Sequence, residues 1–149
     1  MKYILKKKFN KVVGRISRKI ARKYDLQEYE NQIIIQSGGL YKHTYKHISE
    51  FTSIDSYNYA MSNINKIIKK PLFVYFDKKR KSLLYFGKFK DEICIVVKLK
   101  LKHSGDNYVA TFYPVNQSKI NRLKEKSLIV TWWNIKKIDL TLFKKSSIL

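Results

Sequence analysis

The sequence predicts an α+β fold, with N-terminal helices packed on a four- to five-stranded antiparallel meander sheet. Three observations point there. Apolar residues recur at three- and four-residue spacing in the first half of the chain and switch to alternation after Pro71. The alternating segments are separated by short polar connectors, which join antiparallel neighbours rather than parallel ones. The 149 residues, 44% of them hydrophobic, make one domain that can bury a core without disulfide or metal staples.

Taken in order, residues 6–24 read as a basic amphipathic helix. Phe9, Val12, Val13, Ile16, Ile20 and Tyr24 form its apolar stripe and lysines and arginines, among them Lys7, Lys8, Lys11, Arg15, Arg18, Lys19, Arg22 and Lys23, fill most of the rest, with Gly14 weakening it by roughly 1 kcal/mol. Residues 1–30 are therefore expected to be a helical extension and 31–149 the α+β domain. Residues 31–36 read as a short strand, broken by Ser37-Gly38-Gly39. A short helix from about Leu40 to Phe51 follows, then a longer one from about Ser56 to Lys69. Pro71 stops it, because the residue before a proline is pushed out of the helical region.

Four strands come next: Leu72–Phe76, Ser82–Phe86, Glu92–Lys102 and Tyr108–Tyr113. In the third, Ile93, Ile95, Val97, Leu99 and Leu101 share one face. The other carries Cys94 and Val96, then a row of Lys98, Lys100 and Lys102. Simple alternation groups Val109, Thr111 and Tyr113 on one face of the fourth strand and Tyr108, Ala110 and Phe112 on the other. A helix over about Ser118–Lys126, a last strand over Leu128–Trp133 and a basic tail over 134–149 complete the chain.

The charge balance narrows the function classes. Lys and Arg number 32 against 11 Asp and Glu, a formal charge of +21. Solubility asks for a net charge of only about 2–8 in a small domain. The excess repels itself in the compact state and suits a polyanion, nucleic acid or an anionic membrane surface. A lysine-rich, low-GC proteome that inflates every surface is the plainer explanation. No apolar run approaches a membrane-spanning length of about 18 residues, so no stable membrane insertion is expected. The N-terminus lacks the apolar core of a secretory signal. The single cysteine, Cys94, excludes an intrachain disulfide or a zinc ribbon and reads as a buried structural thiol.

The chemistry-bearing residues concentrate in two places. His43 and His47 are four residues apart, with Glu50 three further on and Lys42 and Lys46 alongside. Three alternatives stand: a zinc site completed by Glu50 or His103, an acid–base pair, or polar residues on an exposed helix face. Neighbouring lysines oppose the metal. A histidine titrates near neutral pH, and an adjacent lysine can stabilise a developing phosphorane. His103, in a predicted turn, reads as an exposed loop residue. In the late strand, Thr111 and Tyr113 put two hydroxyls roughly 7 Å apart on one face, with Lys98 or Lys100 on the paired strand. That suits phosphate, although Thr, Val, Phe and Tyr are also ordinary strand residues.

The order of these motifs resembles a known superfamily. A strand with a small-residue break precedes Lys46-His47-Ile48-Ser49-Glu50-Phe51. A second helix and the meander follow, and Gly105-Asp106-Asn107-Tyr108-Val109-Ala110-Thr111-Phe112-Tyr113 closes the pattern. Over about residues 30–115 this is similar to the barnase/EndoU/colicin D/RelE-like ribonucleases, and within them to contact-dependent inhibition toxin tips and phage-borne nuclease domains. Thr52 follows Phe51 where that family often has glycine.

The resemblance implies a metal-independent endoribonuclease without a cofactor, often cutting tRNA and held in check by an immunity protein. It would act in the cytoplasm of a target cell after delivery from a secreted or phage-borne precursor. It assigns His47 as acid or base, Lys46 as a phosphate-facing lysine, Thr111 as the late-strand hydroxyl and Tyr113 as its assistant. His43 joins the catalytic set on helical geometry alone, and Lys42, Lys98 and Lys100 are the expected RNA-binding lysines. Two rival classes explain the charge as well: a non-catalytic RNA- or DNA-binding protein, and a membrane-surface or host-interaction protein docking through residues 6–24.

Overall fold

The computed structural model describes residues 10–100 and 105–127. Six strands form one mixed sheet: β1 (Lys11–Arg15), β2 (Ile33–Gln36), β3 (Phe73–Asp77), β4 (Ser82–Lys88), β5 (Glu92–Lys98) and β6 (Asn107–Val115), in the spatial order β1-β2-β6-β5-β4-β3. The expected meander is β3 to β6, each strand antiparallel to the next. Two additional strands extend it. β1 pairs antiparallel with β2, and β2 pairs parallel with β6 through Ile34↔Asn107 and Ile35↔Tyr108.

The single basic helix over residues 6–24 is corrected by this topology. Its described part is a strand, β1, followed by helix α1 (Arg18–Lys23). Val12, Val13 and Gly14 are poor helix formers, and the β-branched pair fits a pleated surface. Gly14 has a positional reason too: a Cβ there would lie 2.7 Å from Ile68 Cγ2. Ser17 starts α1 by accepting a hydrogen bond from the Ile20 amide at 3.2 Å, and Asp25, at φ 60°, follows its end. Val13, Ile16, Ala21, Tyr24 and Leu26 from this stretch are all buried in the main core. The expected N-terminal helix stack is thus a strand and a short helix built into the sheet.

Helices α2 (Leu40–Thr44), α3 (Ile54–Ser62) and α4 (Ile64–Lys69) follow in the expected region. The longer helix is broken at Asn63, whose side-chain amide bonds the Tyr59 carbonyl at 2.8 Å in competition with the backbone ladder. Residues Tyr45–Glu50 continue from α2 as a 3-10 helix, and a second 3-10 turn covers Gln27–Tyr29. Leu40, Phe51, Tyr57, Ile64 and Ile67 pack with Leu83, Tyr85, Ile95, Val97 and Phe112 in the main core, on one face of the sheet. Residues 117–127 form helix α5 on the other face. There Ile120 and Leu123 join Leu84, Phe86, Cys94 and Val96 in a smaller cluster.

A bulge in β6 corrects the expected facing of its side chains. The register runs Val96↔Thr111 and then Val97↔Val109, leaving Ala110 as the extra residue. Val109 and Phe112 therefore both enter the main core, while Thr111 and Tyr113 point to the opposite face. Leu101, Lys102, His103, the strand expected at Leu128–Trp133, the tail over 134–149, and Phe9 lie outside the described residues.

Candidate active site

On the face carrying α5, the sheet is only partly covered, and a cleft of about 450 Å³ remains. Its floor is made of small or apolar side chains, among them Leu84, Val96, Ala110 and Thr111. One wall is the β3–β4 turn and the other is α5. Four cations from three separate segments line it: Arg80 from the turn, Lys98 from β5, and Lys119 and Lys126 from α5. Asp77 is the one carboxylate among the described lining residues.

Local structure explains why the cations converge. Asp77 Oδ1 accepts the Arg80 amide at 3.3 Å, which closes the turn. The Arg80 carbonyl then accepts from Ser82 Oγ at 3.1 Å and from Lys98 Nζ at 3.0 Å, and the Leu99 amide bonds the Lys81 carbonyl at 3.0 Å. The turn is thereby stapled to the end of β5. Helix α5 is capped by Asn116, whose Oδ1 accepts the Lys119 amide at 2.8 Å. Lys119, Leu123 and Lys126 follow at i, i+4 and i+7, so Leu123 anchors the helix on the sheet while both lysines reach the cleft.

Tyr113 connects this cleft to the histidine segment. Its ring lies 5.9 Å from that of His47, and Lys119 Nζ sits 5.2 Å from its centroid. Its hydroxyl neighbours the Cys94 thiol. Burial, then the neighbouring thiol, pushes the Tyr113 phenol well above its ordinary value, so it stays a protonated donor. Burial likewise pushes Cys94 up to about 12, consistent with an inert core thiol.

His47 is half-buried and its Nδ1 is paired with the Glu50 carboxylate. The 3-10 geometry accounts for the pair. With three residues per turn, side chains at i and i+3 eclipse, so Glu50 falls directly beside His47. The same tightening removes the shared stripe that a regular helix would give His43 and His47. A carboxylate on one ring nitrogen fixes the orientation of the imidazole and leaves Nε2 for chemistry.

The expected site residues therefore divide. Tyr113, Thr111 and Lys98 line the cleft, and His47 adjoins it through Tyr113. Thr111 Oγ1 also donates to the His43 carbonyl at 3.5 Å, tying α2 to β6 where β2 has ended. His43 contributes that backbone oxygen while its side chain is exposed. Lys42 and Lys46 are exposed and stand outside the lining. Lys100 stands outside it as well, its Nζ 5.7 Å from the Tyr108 ring. Among the described residues no three metal-ligating side chains come together, so the His43, His47 and Glu50 zinc alternative is not assembled.

Arg80, Lys119 and Lys126 were not among the expected site residues. The basic run Lys78-Lys79-Arg80-Lys81 and the seven-residue spacing of Lys119 and Lys126 were visible signals, but only the folded sheet shows which of them converge.

Comparison with known proteins decides the family. Residues 10–122 match the model of the phage-Barnase-EndoU-ColicinE5/D-RelE like nuclease3 family. The chain belongs to this nuclease family. No curated protein and no solved structure matches it. The match begins before β1 and so covers the N-terminal strand and α1 as well as the region of resemblance. It spans both halves of the nuclease's cleft, from His47 and Arg80 to Thr111, Tyr113 and Lys119, with Leu123 and Lys126 just beyond.

Proposed function

We propose that this nuclease is a metal-independent endoribonuclease that cuts RNA through a 2′,3′-cyclic phosphate. The observation that carries the proposal is the contact between the His47–Glu50 pair and Tyr113 at the edge of a cleft holding four cations. In this mechanism His47 Nε2 takes the proton of the ribose 2′-hydroxyl, whose oxygen attacks the adjacent phosphorus. Lys119 and the Arg80 guanidinium neutralise the charge that gathers on the phosphoryl oxygens. Tyr113, held protonated, donates to the departing 5′-oxygen, and Thr111 orients the phosphate. Side-chain cations placed before the reaction supply the electrostatic stabilisation that a metal provides in other nucleases.

The substrate proposed is tRNA. The biological role is that of a toxin acting in the cytoplasm of a target cell, restrained by a cognate immunity protein. Growth arrest on expression, with sequencing of the RNA ends that accumulate, tests that role.

The decisive experiment on the chemistry is digestion of RNA and of matched DNA in excess chelator. RNA should be cut to 2′,3′-cyclic ends and DNA spared, because DNA lacks the attacking hydroxyl. His47→Ala should lower the rate by roughly 10²–10⁴. Loss of cutting under chelator refutes the metal-free step, and an unaffected His47→Ala variant refutes that residue's role. Tight, salt-sensitive RNA binding with no cleavage would favour a non-catalytic binding protein instead.

A further inference from the structure

Beside the cleft, α2 and the 3-10 turn after it expose an unusual pair. Tyr41 and Tyr45 are each 54% exposed, with ring centroids 5.8 Å apart and planes inclined by 29°. One helical turn separates them in sequence, so they stack on each other in open solvent rather than against the core. Lys42 and Lys46 follow each ring directly and are likewise exposed. Catalysis as described above uses neither tyrosine, and the two lysines stand outside the cleft lining.

We propose that Tyr41 and Tyr45 form a stacking platform for an unpaired nucleobase next to the scissile phosphate, with Lys42 and Lys46 holding the flanking backbone. Every base offers a π-face, so stacking on aromatic rings binds single strands with little sequence preference. Paired rings add preorganisation: each already constrains its neighbour, and less freedom is lost when a base arrives. The lysines give the charge complementarity that a base alone would not require. Position supports the occupant as well. The segment is anchored to β6 through the Thr111 bond to the His43 carbonyl, and His47, two residues past Tyr45, contacts Tyr113 of the cleft. A chain whose phosphate sits in the cleft would pass over this turn on leaving it. The orientation of the strand rests on the nuclease proposal, but binding to the platform does not.

The test uses the full chain and a non-cleavable 2′-O-methyl RNA oligonucleotide, so affinity is read without turnover. Tyr41→Ala and Tyr45→Ala should each weaken binding by roughly 5- to 150-fold, the range for loss of one base–aromatic stack. Phenylalanine at either position should restore affinity because it keeps the π-face, whereas leucine should not. An oligonucleotide abasic at successive positions should lose affinity at one position in the wild type and show no such loss in the alanine variants. That pattern separates stacking from a general effect on the fold, which an unchanged melting temperature would also exclude. Equal binding by wild type and both alanine variants overturns the platform while leaving the cleft chemistry intact. Failure of the wild type to bind the oligonucleotide overturns the platform and the nuclease proposal together.

Discussion

Substituting Gly14 by alanine gives a prediction whose sign depends on the fold. In an amphipathic helix over residues 6–24, Gly14→Ala would stabilise by about 1 kcal/mol, because glycine is the poorer helix former. In the structure Gly14 lies on β1 beneath α4, and the added methyl would fall 2.7 Å from Ile68 Cγ2 and 3.7 Å from its Cβ. Ile68 is 4% exposed, so it cannot swing into solvent. Overpacking of this kind costs about 1–3 kcal/mol. The alanine recovers about 0.4–1 kcal/mol by restricting the unfolded chain, since the Gly14 backbone is not in a left-handed conformation. The net effect is a destabilisation of about 0.5–2 kcal/mol. For a chain of this size that lowers Tm by about 1–8 °C.

Urea melts followed by far-UV circular dichroism would measure it, with the slope checked so that the midpoint shift reports stability. A double-mutant cycle localises the cause. Ile68→Ala alone should cost about 2–5 kcal/mol by leaving a cavity. The new methyl at position 14 would partly fill that cavity, so Gly14→Ala should be neutral or favourable in the Ile68→Ala background. A stabilising Gly14→Ala in the wild type, or additive effects in the cycle, would refute the packing of β1 against α4.

Four further outcomes follow from the same geometry. Glu50→Gln should lower kcat on RNA roughly 10- to 100-fold with Tm unchanged, because the amide holds the imidazole of His47 less well than the carboxylate does; equal kcat would remove Glu50 from the mechanism. Arg80→Ala and Lys119→Ala should each reduce the salt dependence of RNA binding, the slope of log K against log salt, by about one; an unchanged slope would place the phosphate elsewhere. Burial works against ionisation of Asp91, but the hydroxyl and amide of Thr52 that it accepts outweigh this and hold it below the usual carboxylate range. Its contribution, under about 1 kcal/mol for so exposed a group, is complete above about pH 3.9 and lost as pH falls through the lowered native value. Wild type and Asp91→Asn should therefore differ in urea melts at pH 7 and converge in acid. Cys94, raised to about 12 by burial, should resist thiol reagents in the native protein at pH 8 and react once denaturant is added; rapid native labelling would contradict its buried position.

The meander and its order were legible because each strand alternates cleanly and each connector is too short for a crossover. Helix α5 was legible for a similar reason, its apolar residues falling at helical spacing. β1 was not. Phe9, Val12, Val13, Ile16, Ile20 and Tyr24 satisfy a helical period by coincidence, since a β-branched strand running into a short helix places apolar residues at similar intervals. What separates the two is the close approach of Ile68 to Gly14, a contact across more than fifty residues that no local pattern encodes. The parallel pairing of β2 with β6 is hidden for the same reason.

The candidate site shows both sides of this limit. The motif around His47 was legible, yet the partner that orients its ring follows from the 3-10 turn, which brings Glu50 round in three residues where a regular helix would favour a fourth. Thr111 and Tyr113 were recognised as neighbouring hydroxyls, but their placement on the cleft face depends on Ala110 bulging out of the ladder. With Ala110 paired in a regular ladder, Thr111 and Tyr113 could not share a face opposite both Val109 and Phe112, because side chains alternate strictly along such a strand. The bulge lets β6 contribute Val109 and Phe112 to the core and still present two hydroxyls to the cations of Arg80, Lys98 and Lys119. Deleting Ala110 should thus remove the bulge yet keep both pairs on their present faces, since Val109, Thr111, Phe112 and Tyr113 would then alternate, whereas drawing Ala110 into the regular ladder would drive one pair to the wrong side.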